Sequence, residues 1–309
     1  MRSNAKLLRL FDLPVFSSLQ EMCDRAHLDE ARVRLIANEA HRFYKRYNLP
    51  KKSGGFRVIY QPTAEVKAIQ VWILRNILDK LKPSAVATAF VKNISLRMNV
   101  EPHTRNRYFL CFDLADFFPS ISSYQVAELF GVIGYSKDAS TWLTKLCSIH
   151  YRLPQGAVTS PAISNLVCLR LDRRLIGYTA SKGIVFTRYA DDLTFSSNNP
   201  VLLRRSMGLI ESIIVSERLS LNSKKTRLSG PDSRCEVTGL VKSSSDARFG
   251  IGRKRYRMLR AEINCLAFGG TPVHYKDKAS MVGMLAFVRG ADSTAYAALS
   301  KYWVKKFPS

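Results

Sequence analysis

The segment Phe186-Thr187-Arg188-Tyr189-Ala190-Asp191-Asp192-Leu193-Thr194-Phe195 sets β-forming residues on both sides of a short polar centre that holds adjacent carboxylates. That pattern predicts a β-hairpin with Asp191 and Asp192 at its tip. Like charges crowded into one turn repel and raise each other's pKa, and divalent cations placed between them relieve the repulsion. Upstream, Arg107 to Phe112 runs into Asp113 as a strand apolar on both faces, the pattern of a buried strand whose last residue reaches the sheet edge. Either acidic motif alone is ordinary turn chemistry. Brought together, the three carboxylates could hold two Mg²⁺ ions about 4 Å apart, the spacing used for in-line phosphoryl transfer, with Mn²⁺ able to substitute.

Charge points to a polyanion. Lys and Arg number 48 against 24 Asp and Glu, a formal net charge of +24 on 309 residues. Such an excess repels itself in the free protein and is most simply explained by a partner whose phosphates it neutralises. A highly soluble surface or attraction to anionic lipid ranks behind nucleic acid. The hydrophobic share of 46% suffices for a full core, and the length suits one multi-lobed domain or two small ones. Charge interrupts the apolar stretch at the N-terminus before a secretory core forms, and no apolar run approaches the roughly 20 residues of a membrane span. Cys23, Cys111, Cys147, Cys168, Cys235 and Cys265 form no C-x-x-C pair and read as reduced, mostly buried thiols. The expectation is a cytoplasmic protein without membrane, zinc site or disulfide framework.

Residues 1–50 read as helical and basic, ending in the loop Asn48-Leu49-Pro50-Lys51-Lys52-Ser53-Gly54-Gly55. Phe56 to Tyr60 reads as a strand; its Arg57 is a candidate phosphate clamp or a solvated hairpin charge. A helix is expected from about Thr63 to Leu81, with Val66, Ile69, Ile73, Ile77 and Leu81 on one stripe and Pro83 as its stop. A second follows Pro161, with Ser160 as N-cap and Ile163, Leu166, Val167, Arg170 and Leu171 along it. A third spans about Pro200 to Leu219, with Leu203, Met207, Ile210 and Ile214 on one face. Helices alternating with strands that end in acids imply an α+β fold, a small antiparallel sheet with packed helices. Farther on, a stripe of Tyr256, Leu259, Ile263 and Leu266 opposes Arg253, Lys254, Arg255, Arg257 and Arg260. Ser243 to Asp246 reads as a surface turn.

Taken in order, Phe112-Asp113-Leu114-x-Asp116-Phe117-Phe118, Leu153-Pro154-Gln155-Gly156-Ala157-x-x-Ser160-Pro161, Tyr189-Ala190-Asp191-Asp192 and Leu221-Asn222-Ser223-Lys224-Lys225-Thr226 resemble the consecutive motifs of reverse transcriptases. The resemblance runs from about Arg57 to about Val241. It implies a right-hand polymerase fold with fingers, palm and a mainly helical thumb, divided as an N-terminal helical basic region (1–50), fingers and palm (51–232) and a thumb or RNA-binding region (233–309). It implies that Asp113 and Asp191 bridge both metals, that the backbone carbonyl of Leu114 adds an oxygen and that Asp192 completes the charge balance. For the incoming deoxynucleoside triphosphate it implies Arg57, the turn at Asp116, Gln155 and Phe118, whose ring leaves no room for a 2′-hydroxyl. On pattern alone Phe118 also reads as a core residue beside Phe117. Tyr189 would support the primer end, and Lys225, or Lys224 beside it, would protonate the departing pyrophosphate. Arg253, Lys254, Arg255 and Arg257 would track the primer-template backbone.

Within that family, Asn99-Val100-Glu101-Pro102-His103 is similar to the Asn-Ala-x-x-His element of bacterial retron enzymes, with Val100 in place of the usual alanine, and Val237-Thr238-Gly239 matches their Val-Thr-Gly element. Membership of that group implies a cognate structured non-coding RNA serving as template and primer, and a start from the 2′-hydroxyl of a guanosine. The product would be branched, RNA-linked DNA. It further implies a host RNase H that trims the template, and antiphage defence with a separately encoded effector protein. Two alternatives stay open at this point: another bacterial reverse transcriptase, of the group II intron or diversity-generating kind, and a non-catalytic RNA-binding scaffold, against which the intact acids speak.

Overall fold

The structure is a computed structural model and describes residues 3–51, 54–243, 248–275 and 277–307. The expectations for Lys52 and Ser53 at the loop tip, and for Ser244 to Asp246 in the surface turn, fall outside the described residues.

The chain opens with α1 (Ala5–Leu10), α2 (Leu19–Ala26) and α3 (Glu30–Asn38). In each, a side chain satisfies a backbone N–H that the first turn leaves orphaned: Asn4 accepts from Leu7, Ser18 from Glu21 and Asp29 from Arg32. Helix does not continue to residue 50 as expected. After a 3₁₀ turn the chain forms β1 (Tyr44–Pro50), paired antiparallel with β2 (Phe56–Pro62) so that Leu49 faces Arg57. β1 is exposed at nearly every position, so no burial alternation announces it in the sequence, and pairing with β2 decides its conformation. α4 (Ala64–Asn76) buries Val66, Ile69 and Ile73 on one stripe. It ends before the expected Leu81, where Ile77 leaves helical geometry at φ −120° and a 3₁₀ turn, Leu78–Lys80, follows.

Next come α5 (Leu96–Val100), β3 (Tyr108–Asp113), α6 (Phe117–Ser120), α7 (Ser123–Ile133), α8 (Lys137–Cys147), α9 (Ser160–Val167) and α10 (Leu169–Ala180). The single helix expected after Pro161 is thus two, parted at Cys168. Ser160 is the first helical residue of α9 and not its cap, which is Thr159; the Ser160 hydroxyl donates to the Pro154 carbonyl at 2.6 Å and closes the loop that carries Gln155. The remainder is β4 (Val185–Tyr189), β5 (Asp192–Ser197), α11 (Pro200–Ser216), β6 (Arg227–Ser229), β7 (Glu236–Val237), β8 (Leu240–Lys242), β9 (Phe249–Gly250), α12 (Gly252–Ala267), α13 (Lys278–Ala291) and α14 (Ser293–Lys306). α11 buries Leu203, Ile210 and Ile214, as their spacing predicts, and stops at Ser216, short of Leu219.

Two compact units interleave along the sequence. The first comprises Met1–Val91, Leu114–Leu175 and Glu211–Leu221; in it α8 packs against α2, α3, α4 and α7. The second comprises Lys92–Asp113, Ile176–Ile210 and Asn222–Ser309, and holds an antiparallel sheet in the order β4-β5-β3-β6. β3 lies inside that sheet with Phe109, Leu110, Cys111 and Phe112 all buried, which is why its sequence is apolar without alternation. Phe109 joins the same core as Val237 and Leu240 of β7 and β8, Leu259 and Ile263 of α12, and Met281, Leu285 and Leu299 of α13 and α14. Burial of that apolar surface is the main force assembling the second unit. All six cysteines are free, five of them buried. No helix among the described residues is long and apolar enough to cross a membrane.

Candidate active site

β4 and β5 form the hairpin read from the sequence. Tyr189 pairs with Asp192, which leaves Ala190 and Asp191 as a two-residue turn. Ala190 sits at φ 55°, a conformation that costs a residue with a Cβ roughly 1–2 kcal/mol. Positive φ at the first turn position follows the twist of the flanking strands, so the hairpin itself favours the strain. Arg188, fully buried, donates to the Ala190 carbonyl at 3.3 Å and ties down the turn that carries Asp191. Arg188 is not among the residues that the motifs single out. Its signal was a cation inside an otherwise β-forming run, a position where a buried charge requires specific partners.

On the neighbouring strand, Asp113 stands directly opposite Asp192, a register that places their Cβ atoms about 5 Å apart. The Asp113 carbonyl accepts the N–H of Asn222 at 2.8 Å, which leads the chain into the 3₁₀ turn Ser223–Lys225. From that turn the Lys225 ammonium lies 2.9 Å from each Asp113 carboxylate oxygen. Lys224, its neighbour, is exposed. Burial first, then the charges of Asp191 and Asp113, push the Asp192 carboxyl up to about 6. Lys225 is raised above the usual lysine range, foremost by its hydrogen bond to Asp113.

The donor chemistry suits hard divalent ions, since three carboxylates supply only oxygen and their crowding at Asp192 is the repulsion a cation relieves. The side chains do not stand ready as a cage, however. Among the described residues no group of three or more His, Cys, Asp or Glu is placed to hold a metal, and the Asp113 oxygens are engaged by Lys225. The backbone register thus sets Asp113 opposite Asp192, with the Asp113 carboxylate paired to the Lys225 ammonium.

Arg57, Leu114, Asp116, Phe118 and Gln155 belong to the first unit, and Asp113, Tyr189, Asp191, Asp192 and Lys225 to the second. Within the first, β2 and the Gln155 loop are joined: the Tyr60 N–H donates to the Gln155 carbonyl at 2.9 Å, and Gly156, at φ 120°, lies against the Tyr60 carbonyl. Arg57 is exposed on the same strand. Beside the loop, Val58, Tyr60, Pro119, His150, Arg152 and Gln155 line a cavity of about 240 Å³. Asp116 is exposed at φ 43° at the start of α6. Phe118 is half-buried, its ring 5.4 Å from that of Phe117 and 6.0 Å from that of Phe90. Leu114 is buried and bridged to Leu221.

Of the basic residues on α12, Arg253, Lys254, Arg257 and Arg260 are exposed. Arg255 departs from the expected cationic face: it is half-buried and donates to the Gly239 carbonyl at 3.3 Å. Val237 ends β7 in the core, and Thr238 and Gly239, at φ 47° and 81°, make the turn into β8. Asn99 on α5 and His103 just after it are buried.

An antiparallel sheet with packed helices, bearing an acidic hairpin opposite an acidic strand end, is the architecture of nucleic-acid polymerases of the right-hand kind, and comparison with known proteins agrees. The chain belongs to the reverse transcriptase family: residues 49–242 match the family described as reverse transcriptase (RNA-dependent DNA polymerase). The fold is shared with a solved telomerase from Candida albicans in complex with a fragment of telomeric RNA, at a TM-score of 0.51 and 11% identity over 84% of this chain and 55% of that one. Among curated relatives, Retron Ec86 reverse transcriptase of Escherichia coli is 40% identical over 97% of this chain and 92% of its own. Retron Mx65 reverse transcriptase of Myxococcus xanthus is 34% identical over 81% of this chain and 62% of its own. With them, this protein is a retron reverse transcriptase, an RNA-directed DNA polymerase. Enzymes of the family work with divalent metal ions.

Proposed function

We propose that the protein copies a cognate structured non-coding RNA into DNA, using that RNA as both template and primer and starting from the 2′-hydroxyl of a guanosine, so that the product is branched multicopy single-stranded DNA. The observation that carries the polymerase chemistry is the register of Asp113 opposite Asp192, with Asp191 in the adjoining turn. Asp113, Asp191 and Asp192, with the Leu114 carbonyl, would hold the divalent ions. Two Mg²⁺, or Mn²⁺ in their place, would lower the pKa of the attacking hydroxyl and offset charge on the departing pyrophosphate.

The remaining roles fall to the chain's own groups. Lys225, whose ammonium pairs with Asp113, donates a proton to the leaving pyrophosphate. Arg57 grips phosphate oxygens with its planar fork, and the turn at Asp116 offers backbone amides to the triphosphate. Gln155 positions the nucleotide and the template base. Phe118 excludes the 2′-hydroxyl of a ribonucleotide, and Tyr189 supports the primer end. Arg253, Lys254 and Arg257 follow the nucleic-acid backbone, while Arg255 serves the turn at Gly239. In this reading residues 51–232 are fingers and palm, residues 233–309 the thumb, and residues 1–50 a basic N-terminal region whose last strand is part of the finger ribbon. A host RNase H trims the template, and a separately encoded effector joins the system in antiphage defence.

The test is incorporation of labelled deoxynucleotides by the purified protein with Mg²⁺ on RNA transcribed from its own genomic neighbourhood, beside an Asp191→Asn/Asp192→Asn variant. A branched product with an RNase-sensitive RNA portion, made only by the intact protein, is the expected result. Extension of an added primer on generic RNA without self-priming would keep the polymerase and remove the self-primed reading. No DNA under either condition would refute both.

A further inference from the structure

Asn99 and His103, which mark the retron group in the sequence, are 1% and 0% exposed, so neither side chain is offered to RNA. The His103 ring instead bridges both strands of the acidic hairpin. Its Nδ1 lies 2.6 Å from Ser196 Oγ on β5, and its Nε2 lies 2.8 Å from Thr187 Oγ1 on β4. The neighbours set the direction of each bond. Thr187 gives its one hydroxyl proton to the Asn99 carbonyl at 3.3 Å, so His103 Nε2 carries the proton that Thr187 accepts. Nδ1 is then the acceptor of the Ser196 proton, and Ser196 Oγ in turn accepts from Asn106 Nδ2 at 2.8 Å. The chain runs from Asn106 through Ser196, His103 and Thr187 to Asn99, each hydroxyl donating once and accepting once. Asn99 extends it, with Nδ2 donating to Thr238 Oγ1 at 3.3 Å, next to the Gly239 carbonyl that holds Arg255 of α12.

Strand register places this chain on the face that bears the acids. Thr187 pairs with Thr194 and Tyr189 with Asp192, so Thr187, Tyr189, Asp192, Thr194 and Ser196 point to one side of the sheet, the side of Asp113 opposite Asp192. β4 is the edge strand in the order β4-β5-β3-β6, and an edge strand is held by ladder bonds along one side alone. The bonds from Thr187 to His103 and to Asn99 give β4 a second attachment about two residues, roughly 7 Å, from the Tyr189–Asp192 pair.

Resting on the reading of Asp191 and Asp192 as catalytic, we propose that His103, Asn99 and Thr238 are positioning residues of the polymerase: one strut, buried at His103 and Asn99, that fixes the edge strand of the acidic hairpin to the β7–β8 turn beside α12. The strut requires neutral His103, which burial and the nearby Lys242 ammonium maintain. Lys242 also donates to the carbonyls of Thr104 and Asn106 and so braces the segment from which His103 projects.

The experiment is steady-state incorporation of dTTP on an oligo(dT)-primed poly(rA) template, with RNA affinity and melting temperature measured on the same full-length proteins. Thr187→Val keeps volume and strand preference while deleting two links, so it remains informative if His103→Leu fails to fold. Both variants are expected to lose at least tenfold in kcat, with KM for dTTP and RNA affinity within about twofold of the parent. The double variant should be no worse than either single one, as for two parts of one unit. His103→Gln, whose amide can donate to Thr187 and accept from Ser196, should recover most of the loss, and Thr238→Ala should share the kcat defect that Thr238→Ser avoids. Unchanged kcat in folded Thr187→Val, additive losses, or a defect confined to RNA affinity would overturn the strut. Activity retained by Asp191→Asn/Asp192→Asn would instead overturn the catalytic reading beneath it, so the two failures are distinguishable.

Discussion

Gly156 joins the Gln155 loop to β2 at a distance that only a residue without a side chain permits. It sits at φ 120°, and a Cβ built there would lie 2.7 Å from the Tyr60 carbonyl oxygen and 3.0 Å from Ile59 Cγ2. Gly156→Ala therefore has to push backbone from backbone by roughly 0.7 Å to reach ordinary contact near 3.4 Å. The bond between the Tyr60 N–H and the Gln155 carbonyl, 2.9 Å long, spans the gap that must open. An L-residue at this φ costs about 1–3 kcal/mol and the weakened hydrogen bond about 1 kcal/mol, so the variant should lose about 2–4 kcal/mol. For a protein of this size that is a fall of roughly 5–15 °C in melting temperature. If Gln155 serves the nucleotide, KM for deoxynucleotide should rise several-fold as well. Gly177→Ala is the control: this glycine lies in α10 with nothing within 4 Å of a built Cβ, and alanine there should stabilise by about 0.5–1 kcal/mol. Thermal melts and dNTP titrations of both variants decide the matter. Gly156→Ala with parental melting temperature and KM would refute the close-approach reasoning.

Three further outcomes are expected. His103 is held down to about 3, by burial first and Lys242 second, so the unfolded chain takes up its proton near 6.5 while the folded one does not. Its contribution to stability is whole above pH 6.5 and shrinks as pH falls toward 3, by at most about 1.4 kcal/mol per pH unit; melting temperatures of the parent and His103→Gln should differ in pH slope across that window, and parallel slopes would contradict a neutral buried imidazole. Phe118→Val should admit ribonucleotides, read as the ratio of kcat/KM for dTTP and UTP, and an unchanged ratio would remove Phe118 from sugar selection. Neutralising Arg253, Lys254 or Arg257 should each lower the salt slope of RNA binding by roughly 1, whereas Arg255→Gln should leave the slope and act instead on stability, because its guanidinium is turned to Gly239.

Local pattern carried a good share of this fold. The tip of the acidic hairpin, the buried strand ending at Asp113 and the stripe of α4 were legible because each depends on residues close in sequence, through turn preference or the repeat of apolar positions. β1 was not, since an exposed ribbon strand buries neither face and only its partner defines it. The break between α9 and α10 at Cys168 has no proline or glycine to announce it. At the site, the sequence named the acids and Lys225, but the ammonium seated on both Asp113 oxygens depends on a turn more than a hundred residues away.

What the sequence by itself determined is therefore the inventory and the class: three carboxylates, a basic excess suited to nucleic acid, and an ordered set of motifs shared with reverse transcriptases. Tertiary structure decided which of those groups meet. It buried Asn99 and His103 against Thr187 and Ser196, turned Arg255 from the cationic face of α12 to the Gly239 carbonyl, and set Asp113 opposite Asp192. Periodicity and turn chemistry act over a few neighbouring residues, while cross-strand register, burial and the direction of a hydrogen bond depend on segments that only the folded core brings side by side.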